Sequence, residues 1–368
     1  MSFRLHNFWW LLIWMFLAGG FCYFFVPQQE EEVLGHREPR WNFAPAFFTV
    51  LPYLLWTAWR SNGYGDTVLY RRSFLNAPSG LSNAVSYALS RSKDPGYAFL
   101  ESVFKSVISN SDIAFFFFIA AVQILCLMVV YRKYSRNYWL SFFFFIASTD
   151  YIAWMHNGMR QFIAVALIFA CLPLLVRRQY IPVILITLLA ASIHITALVF
   201  LPFIFIVNGR AWNLRTIAFI VAVIIAVYYL DVVTDFIADA AEDTAYEADA
   251  IELAEGTGTN IFRVLFYAVP TFLSLAFYRY ISAADDPLIN TCVNLSIVAT
   301  VFYVFSSFTS GAIAGRIPIY FSLSNYILLP WLISEVFESS SAVLVNSIFV
   351  AIYCAFFYFQ MGPTWGLL

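Results

Sequence analysis

The sequence predicts an all-α polytopic membrane protein with about twelve transmembrane helices. Three observations predict it. Hydrophobic residues make up 62% of the 368 residues and charged residues 11%, against roughly 25% charged in soluble domains. The apolar residues fall in runs near the roughly 20 residues that a helix needs to cross a bilayer. The 40 Phe and 22 Tyr residues supply heavily aromatic packing and lipid-facing surfaces. A net charge of -2 lacks the basic stripe of a nucleic-acid binder, so no nucleic-acid partner is expected.

Spans are expected at 8–26, 43–59, 112–131, 138–155, 158–176, 216–232, 262–281, 288–308, 316–336 and 342–359. The first run follows Arg4 and resembles a signal peptide. It is long and bulky, and no small-x-small cleavage pattern precedes Glu30-Glu31-Glu32, so it is kept as a span. The run 180–207 is long for one span and short for two. With Ser192 and His194 in its middle, it predicts two short helices meeting in a hairpin near the outer surface. One long tilted helix is the alternative. The chain 1–368 is expected to form a single integral membrane domain. The cysteines Cys22, Cys126, Cys171, Cys292 and Cys354 stand singly in apolar runs, without CxxC or zinc spacing, and are read as small core residues.

Lys and Arg in short loops set orientation. Arg132-Lys133-Arg136, Arg177-Arg178, Arg210 with Arg215, and Arg279 all fall inside if 180–207 is a hairpin. The loops 60–111 and 233–261 then lie outside. The second holds eight acids between Asp235 and Glu255 in an Ala- and Glu-rich stretch expected to be partly helical. The first carries six cations against the orientation rule, and its 82–109 stretch is expected to lie along the membrane surface.

Under this topology six ionisable residues converge on the outer face: Arg60 and Asp66, Arg160, His194, Arg263 and Arg316. Each alone is compatible with a snorkelling side chain. Together they suggest a cavity, because charges at spans usually face a partner or a pore. The 17 Arg against 3 Lys point to a phosphate or carboxylate ligand, which guanidinium grips bidentately. His156 either lines the same cavity or caps a span end, while His6 and His36 read as terminal and loop residues. No Asp-x-Asp or His/Cys cluster offers metal ligands, so neither metal nor other cofactor is expected.

Several segments resemble the EpsG family, which groups Wzy-type exopolysaccharide and O-antigen polymerases. Arg60-Ser-Asn-Gly-Tyr-Gly65-Asp66-Thr67, with Tyr70 and Phe74, is similar to its first outer segment. Asp94-Pro95-Gly96-Tyr97 with Leu100 resembles its Glu-Pro-Gly element. Arg160-Gln161 with Ala164, the His194, Thr196, Ala197 and Leu198 set, and Arg316 with Tyr320 and Phe321 resemble three more, in the family's order. Asp94 stands where the family usually has Glu, Gly-Asp-Thr is a permuted Gly-Thr-Asp, and the acidic loop is peculiar to this chain.

The resemblance implies transfer of a growing glycan from undecaprenyl diphosphate to a lipid-linked repeat unit, in a bacterial inner membrane, with the site facing the periplasm or exterior. It also implies work beside a flippase and a chain-length regulator. On this reading Arg60, Arg160, Arg263 and Arg316 bind the diphosphate, and Tyr70, Gln161 and Tyr320 position the sugar. His194 or Asp66 takes the acceptor's proton; imidazole is favoured, since its ordinary titration range reaches neutrality. The rival is a non-enzymatic transporter or flippase of lipid-linked sugars, which predicts mid-membrane charges and related halves; no repeat is present. A membrane acyltransferase using His194 would not call for several arginines, and Ser306 to Gly311 lacks the Gly-x-Ser-Gly of a rhomboid-like protease.

Overall fold

The structure is a computed structural model and describes residues 8–63 and 65–368, without the side chain of His36. Arg4, His6, Tyr64 and that side chain lie outside the described residues. The chain is all-helical, 76% helix and 3% strand. It divides into two compact units, Met1–Ala170 with Leu188–Ile195 and Ile333–Leu368, and Cys171–Thr187 with Thr196–Leu332.

The first unit opens with α1 (Trp10–Phe25). A β-hairpin that the sequence reading did not anticipate follows, β1 (Gln29–Val33) paired antiparallel with β2 (His36–Arg40). Its two-residue turn, Leu34 and Gly35, has φ of +51° and +96°, the combination that matches strand twist. After α2 (Phe43–Ala58), the expected outer loop 60–111 folds as α3 (Thr67–Asn76), α4 (Leu81–Leu89) and α5 (Pro95–Val107). In α4, Leu81, Val85 and Leu89 stay exposed four residues apart, the apolar face of a helix suited to lie on a membrane. The next helix, α6 (Asp112–Tyr134), has 23 residues, about 34 Å at 1.5 Å per residue. Ser111 caps its start, Asp112 sits in its first turn, and Arg132 and Lys133 sit in its last, all complementing the helix dipole. Then α7 (Tyr138–Ala147) passes through a π-helical turn, Tyr151–Asn157, into α8 (Met159–Ala170).

The second unit begins with α9 (Leu172–Val176). The helix α10 (Tyr180–Ile193), whose residues from Leu188 onward belong to the first unit, ends at His194, and a 3-10 turn, Ile195–Val199, leads into α11 (Phe200–Ile206). The ring of Tyr180 lies 5.2 Å from that of Phe205, so the chain folds back on itself. The run 180–207 is therefore two short helices rather than one tilted span. The helix α12 (Leu214–Tyr228) bends by 89° into α13 (Leu230–Ala241), and α14 (Glu247–Glu255) completes the acidic stretch, helical as expected. Next, α15 (Ile261–Ala276) bends by 67° into α16 (Tyr278–Ala284). The axis of the unit is α17 (Pro287–Phe308), against which α12 and α15 pack. Pro287 opens it, and the Asp286 carboxylate accepts from Leu288 N at 2.7 Å. A short α18 (Ile319–Ser322) and α19 (Asn325–Val336) follow, and α20 (Ser339–Phe359) returns to the first unit, stacking Tyr353 on Phe144 at 4.2 Å.

Three helices are long and apolar enough to cross a membrane, or up to six if each bent pair is one span; six shorter apolar helices remain. Length and composition among the described residues thus support three to six spans, and the expected count of about twelve is not reached by these criteria. The difference lies in the six apolar helices that are shorter than a full span and in the three sharp bends, which hydropathy does not register. The five cysteines are free and buried or half-buried.

The hairpin at 180–207 makes the topology testable. Single cysteines replacing Arg177 and Arg210 should label from the same side of the membrane, and cysteines in 60–111 from the opposite side. Labelling of positions 177 and 210 from opposite sides would contradict the antiparallel fold of α10 and α11.

Candidate active site

Asp94 immediately precedes α5 in a left-handed conformation, φ +54°, with Pro95 opening the helix. Gly96 allows this helix start to abut the end of α10: a Cβ there would lie 2.8 Å from the backbone carbonyl carbon of Ser192. Only a residue without that atom fits. The approach brings Asp94, 6% exposed, against the first residue beyond α10. His194 Nδ1 lies 3.4 Å from Asp94 Oδ2, and Arg160 Nη1 lies 2.7 Å from the same oxygen. Burial opposes ionisation of Asp94, but His194, Arg160 and the Ile195 N–H together hold its carboxyl below the usual carboxylate range. One buried carboxylate therefore clamps a guanidinium and an imidazole, both of which keep part of their surface open.

Arg160 emerges in the first turn of α8, just after the π-helical turn, a local widening frequent at functional sites. Its guanidinium lies 5.9 Å from the Tyr70 ring centroid and 5.8 Å from that of Tyr97. Tyr70 donates to Asn157 O at 3.0 Å. Its phenol is pushed up by burial, with the nearby Arg160 charge opposing this and Asp66 adding to it. Asp66 is half-buried just before α3, four residues ahead of Tyr70. Gln161, next to Arg160, is buried.

Arg60 has a different place from the one expected. It is 3% exposed and donates to Met155 O at 2.9 Å, His156 O at 3.4 Å and Met159 Sδ at 2.7 Å, with its Cζ 4.3 Å from the Phe116 ring centroid. Its guanidinium is occupied in holding the π-helical turn that presents Arg160, which leaves little of it for a diphosphate. His156 is wholly buried, with Nε2 3.3 Å from the Thr57 hydroxyl and its ring 4.5 Å from Trp56, so it lines no open cavity.

The remaining predicted residues belong to the second unit. Arg263 sits in the first turn of α15, its guanidinium 5.8 Å from the Tyr267 ring. Arg316 is exposed at the end of the 3-10 turn Ala314–Arg316. Thr259 N donates to Ser306 O at 2.9 Å, and a Cβ at Gly315 would stand 2.7 Å from the Thr259 hydroxyl, so both arginines occur at the same end of this unit. Tyr320 is buried, its hydroxyl 2.9 Å from that of Thr196. Among the described residues no group of three His, Cys, Asp or Glu side chains is placed to hold a metal ion.

Residues 43–362 match the EpsG family. The chain belongs to the EpsG family. EpsG is a Wzy-like polymerase family, so this is an exopolysaccharide or O-antigen polymerase-like membrane protein, multi-pass by its apolar helices. No curated protein and no solved structure matches the chain.

Sequence reasoning missed Asp94 as a site residue, although it opens one of the family-like segments. It also missed Glu101, on the same helix. Glu101 is 1% exposed; Ser73 donates to one of its oxygens at 2.9 Å and the other has no partner. Burial pushes its carboxyl up to about 7. A carboxyl raised in the fold stabilises below its unfolded value and loses that contribution as pH rises through the folded one. Thermal stability of the purified protein should fall between pH 5 and 8 by on the order of 2–3 kcal/mol from this group. Glu101→Gln should flatten that slope and be the more stable protein at pH 8. An unchanged slope in the variant would contradict the assignment.

Proposed function

We propose that this protein is a membrane glycosyltransferase that polymerises undecaprenyl-diphosphate-linked repeat units into O-antigen or exopolysaccharide at the outer face of a bacterial inner membrane. The observation that carries the reading is the Asp94 carboxylate set between Arg160 and His194. Asp94 accepts the Nδ1 proton of His194, which fixes the tautomer and leaves Nε2 to accept a proton. The acceptor sugar's hydroxyl oxygen attacks the anomeric carbon as its proton passes to Nε2, and the bond from that carbon to the diphosphate oxygen breaks. Arg160, with five N–H donors and only part of its fork on Asp94, grips the departing diphosphate and offsets its developing charge.

Asp66 and Tyr70 line the same region and are assigned to sugar positioning, with Gln161 supporting Arg160. Arg263 and Arg316 are assigned the same phosphate-gripping chemistry within the second unit, and Tyr320 a positioning role there. A flippase would supply the substrate, and a chain-length regulator would act on the product.

The decisive experiment is polymerisation of lipid-linked repeat units by purified protein. His194→Gln should lower the rate by about 10²–10⁴-fold, the usual worth of general-base help. Arg160→Lys should be severely impaired although its charge is kept, because the planar fork is lost. Near-normal rates for His194→Gln would pass the proton to Asp66. Transbilayer movement of the substrate without any polymer would establish the transporter instead.

Because its folded value is depressed, Asp94 stays ionised at neutral pH, and its contribution is lost only as pH falls through that folded value. Asp94→Asn should therefore impair polymerisation throughout pH 5–8, with no recovery at either end. Recovery of the variant at high pH would mean that Asp94 does not act through its charge.

A further inference from the structure

At the end of α6 away from Asp112, two cavities in the first unit share two wall residues, Tyr23 and Asn137. One, of about 160 Å³, is polar, and its walls include Arg40, Arg132 and Arg136 but no acidic residue. The other, of about 430 Å³, is a mostly apolar groove running between α1, the start of α7 and α20, with Phe16, Trp139, Val343 and Val350 in its walls. We propose that the pair is one binding site for an anionic phospholipid, its phosphate held chiefly by Arg136 with Arg132 beside it, and an acyl chain in the groove.

Each of the three arginines is paired with a carboxylate; Arg40, 4% exposed, also donates to Lys133 O and Pro39 O and serves as scaffold, while Arg136 at 37% exposed keeps the most open side. Glu31 takes both terminal nitrogens of Arg132, at 2.5 and 3.1 Å, Glu335 takes Arg136 at 2.8 Å, and Glu38 takes Arg40. The Arg132 Nε is buried without a hydrogen-bond partner. Such prearranged guanidinium groups suit phosphate oxygens, and basic pockets between transmembrane helices on the cytoplasmic side are a known mode of lipid-headgroup capture. In the groove, the Asn346 side-chain oxygen is also buried and unpartnered, a polar point at which a glycerol or ester group can bond. Gly20 opens the groove, since a Cβ there meets nothing within 4 Å. Phe16, Leu17, Phe21, Val343 and Leu344 are exposed around it, so it faces lipid. This site stands at the opposite end of α6 from Asp112, which pairs with Arg71 of α3 beside the candidate active site, and so serves a ligand other than the reacting diphosphate.

The test uses full-length protein in mild detergent, stripped of lipid and exposed to mixed phosphatidylglycerol and phosphatidylcholine, with bound lipid read by native mass spectrometry. Wild-type protein should retain phosphatidylglycerol over phosphatidylcholine by about tenfold or more. Gly20→Leu, which fills the groove on a helix that favours Leu, and Arg136→Gln should each reduce that retention several-fold. Inorganic phosphate at millimolar concentration should not displace the lipid. Equal retention of the two lipids, unchanged retention in both variants, displacement by inorganic phosphate, or selective capture of a polyprenyl phosphate would each overturn the proposal.

Discussion

A buried carboxylate is tolerated only where its charge is answered, and the candidate site is arranged around one such group. Asp94 is answered by Arg160, His194 and a backbone N–H. To reach them it takes a left-handed backbone, with Pro95 starting a helix and Gly96 permitting contact with the end of α10. The same placement seats Tyr97 beside Tyr70 in an aromatic cluster with Phe74, Phe104, Phe115 and Met159. The outer segment is thereby packed onto α6 and α8. Removing one partner of a buried ion pair typically costs about 3–5 kcal/mol; here the cost is smaller, because Arg160 keeps 39% of its side chain exposed and is partly screened. That partial exposure also leaves the guanidinium open to a ligand.

The broken helices obey a second constraint. Irregular backbone at membrane depth must find its hydrogen bonds inside the protein. At the π-helical turn Arg60 supplies donors to Met155 and His156 carbonyls. In the second unit, two asparagines of α17 serve the connection between α11 and α12. Asn290 accepts from Ala211 N at 2.9 Å, and Asn294 accepts from Trp212 N at 3.1 Å while donating to Val207 O at 2.9 Å. These two asparagines inside an apolar helix hold a loop in place.

Those facts explain what was legible in the sequence. Helical class, membrane character and the turn at His194 followed from run lengths and from one polar cluster in an apolar stretch. The family resemblance located Arg160, His194 and the Asp94 segment. The break near 156 was expected, but its π-helical form and the bend at Tyr229 were not legible, because π-helical turns and sharp bends depend on side chains distant in sequence and leave hydropathy unchanged. The β-hairpin was hidden because Gln29–Val33 reads as a polar acidic linker; its anchors, Arg132 and Lys133, lie about a hundred residues away. Arg60 was misplaced for a related reason. Proximity to a span end cannot distinguish an arginine that faces a cavity from one that ties up carbonyls.

The preponderance of arginine over lysine need not point to a ligand alone. The proposed grip on a diphosphate concerns groups that keep an open side, such as Arg160. It does not account for Arg60, which is enclosed. There the properties that matter are the guanidinium's proton affinity and its several donors. Burial lowers Arg60 to about 10, which still leaves it charged at neutral pH and able to hold its carbonyls. A lysine, a single point charge without the planar fork, lacks the spread of donors with which Arg60 meets two carbonyls and the Met159 sulfur at once. Arg60 thus acts as scaffold, holding irregular backbone through the several N–H donors of one guanidinium. An arginine count alone cannot separate the two roles; exposure and bonding partners do.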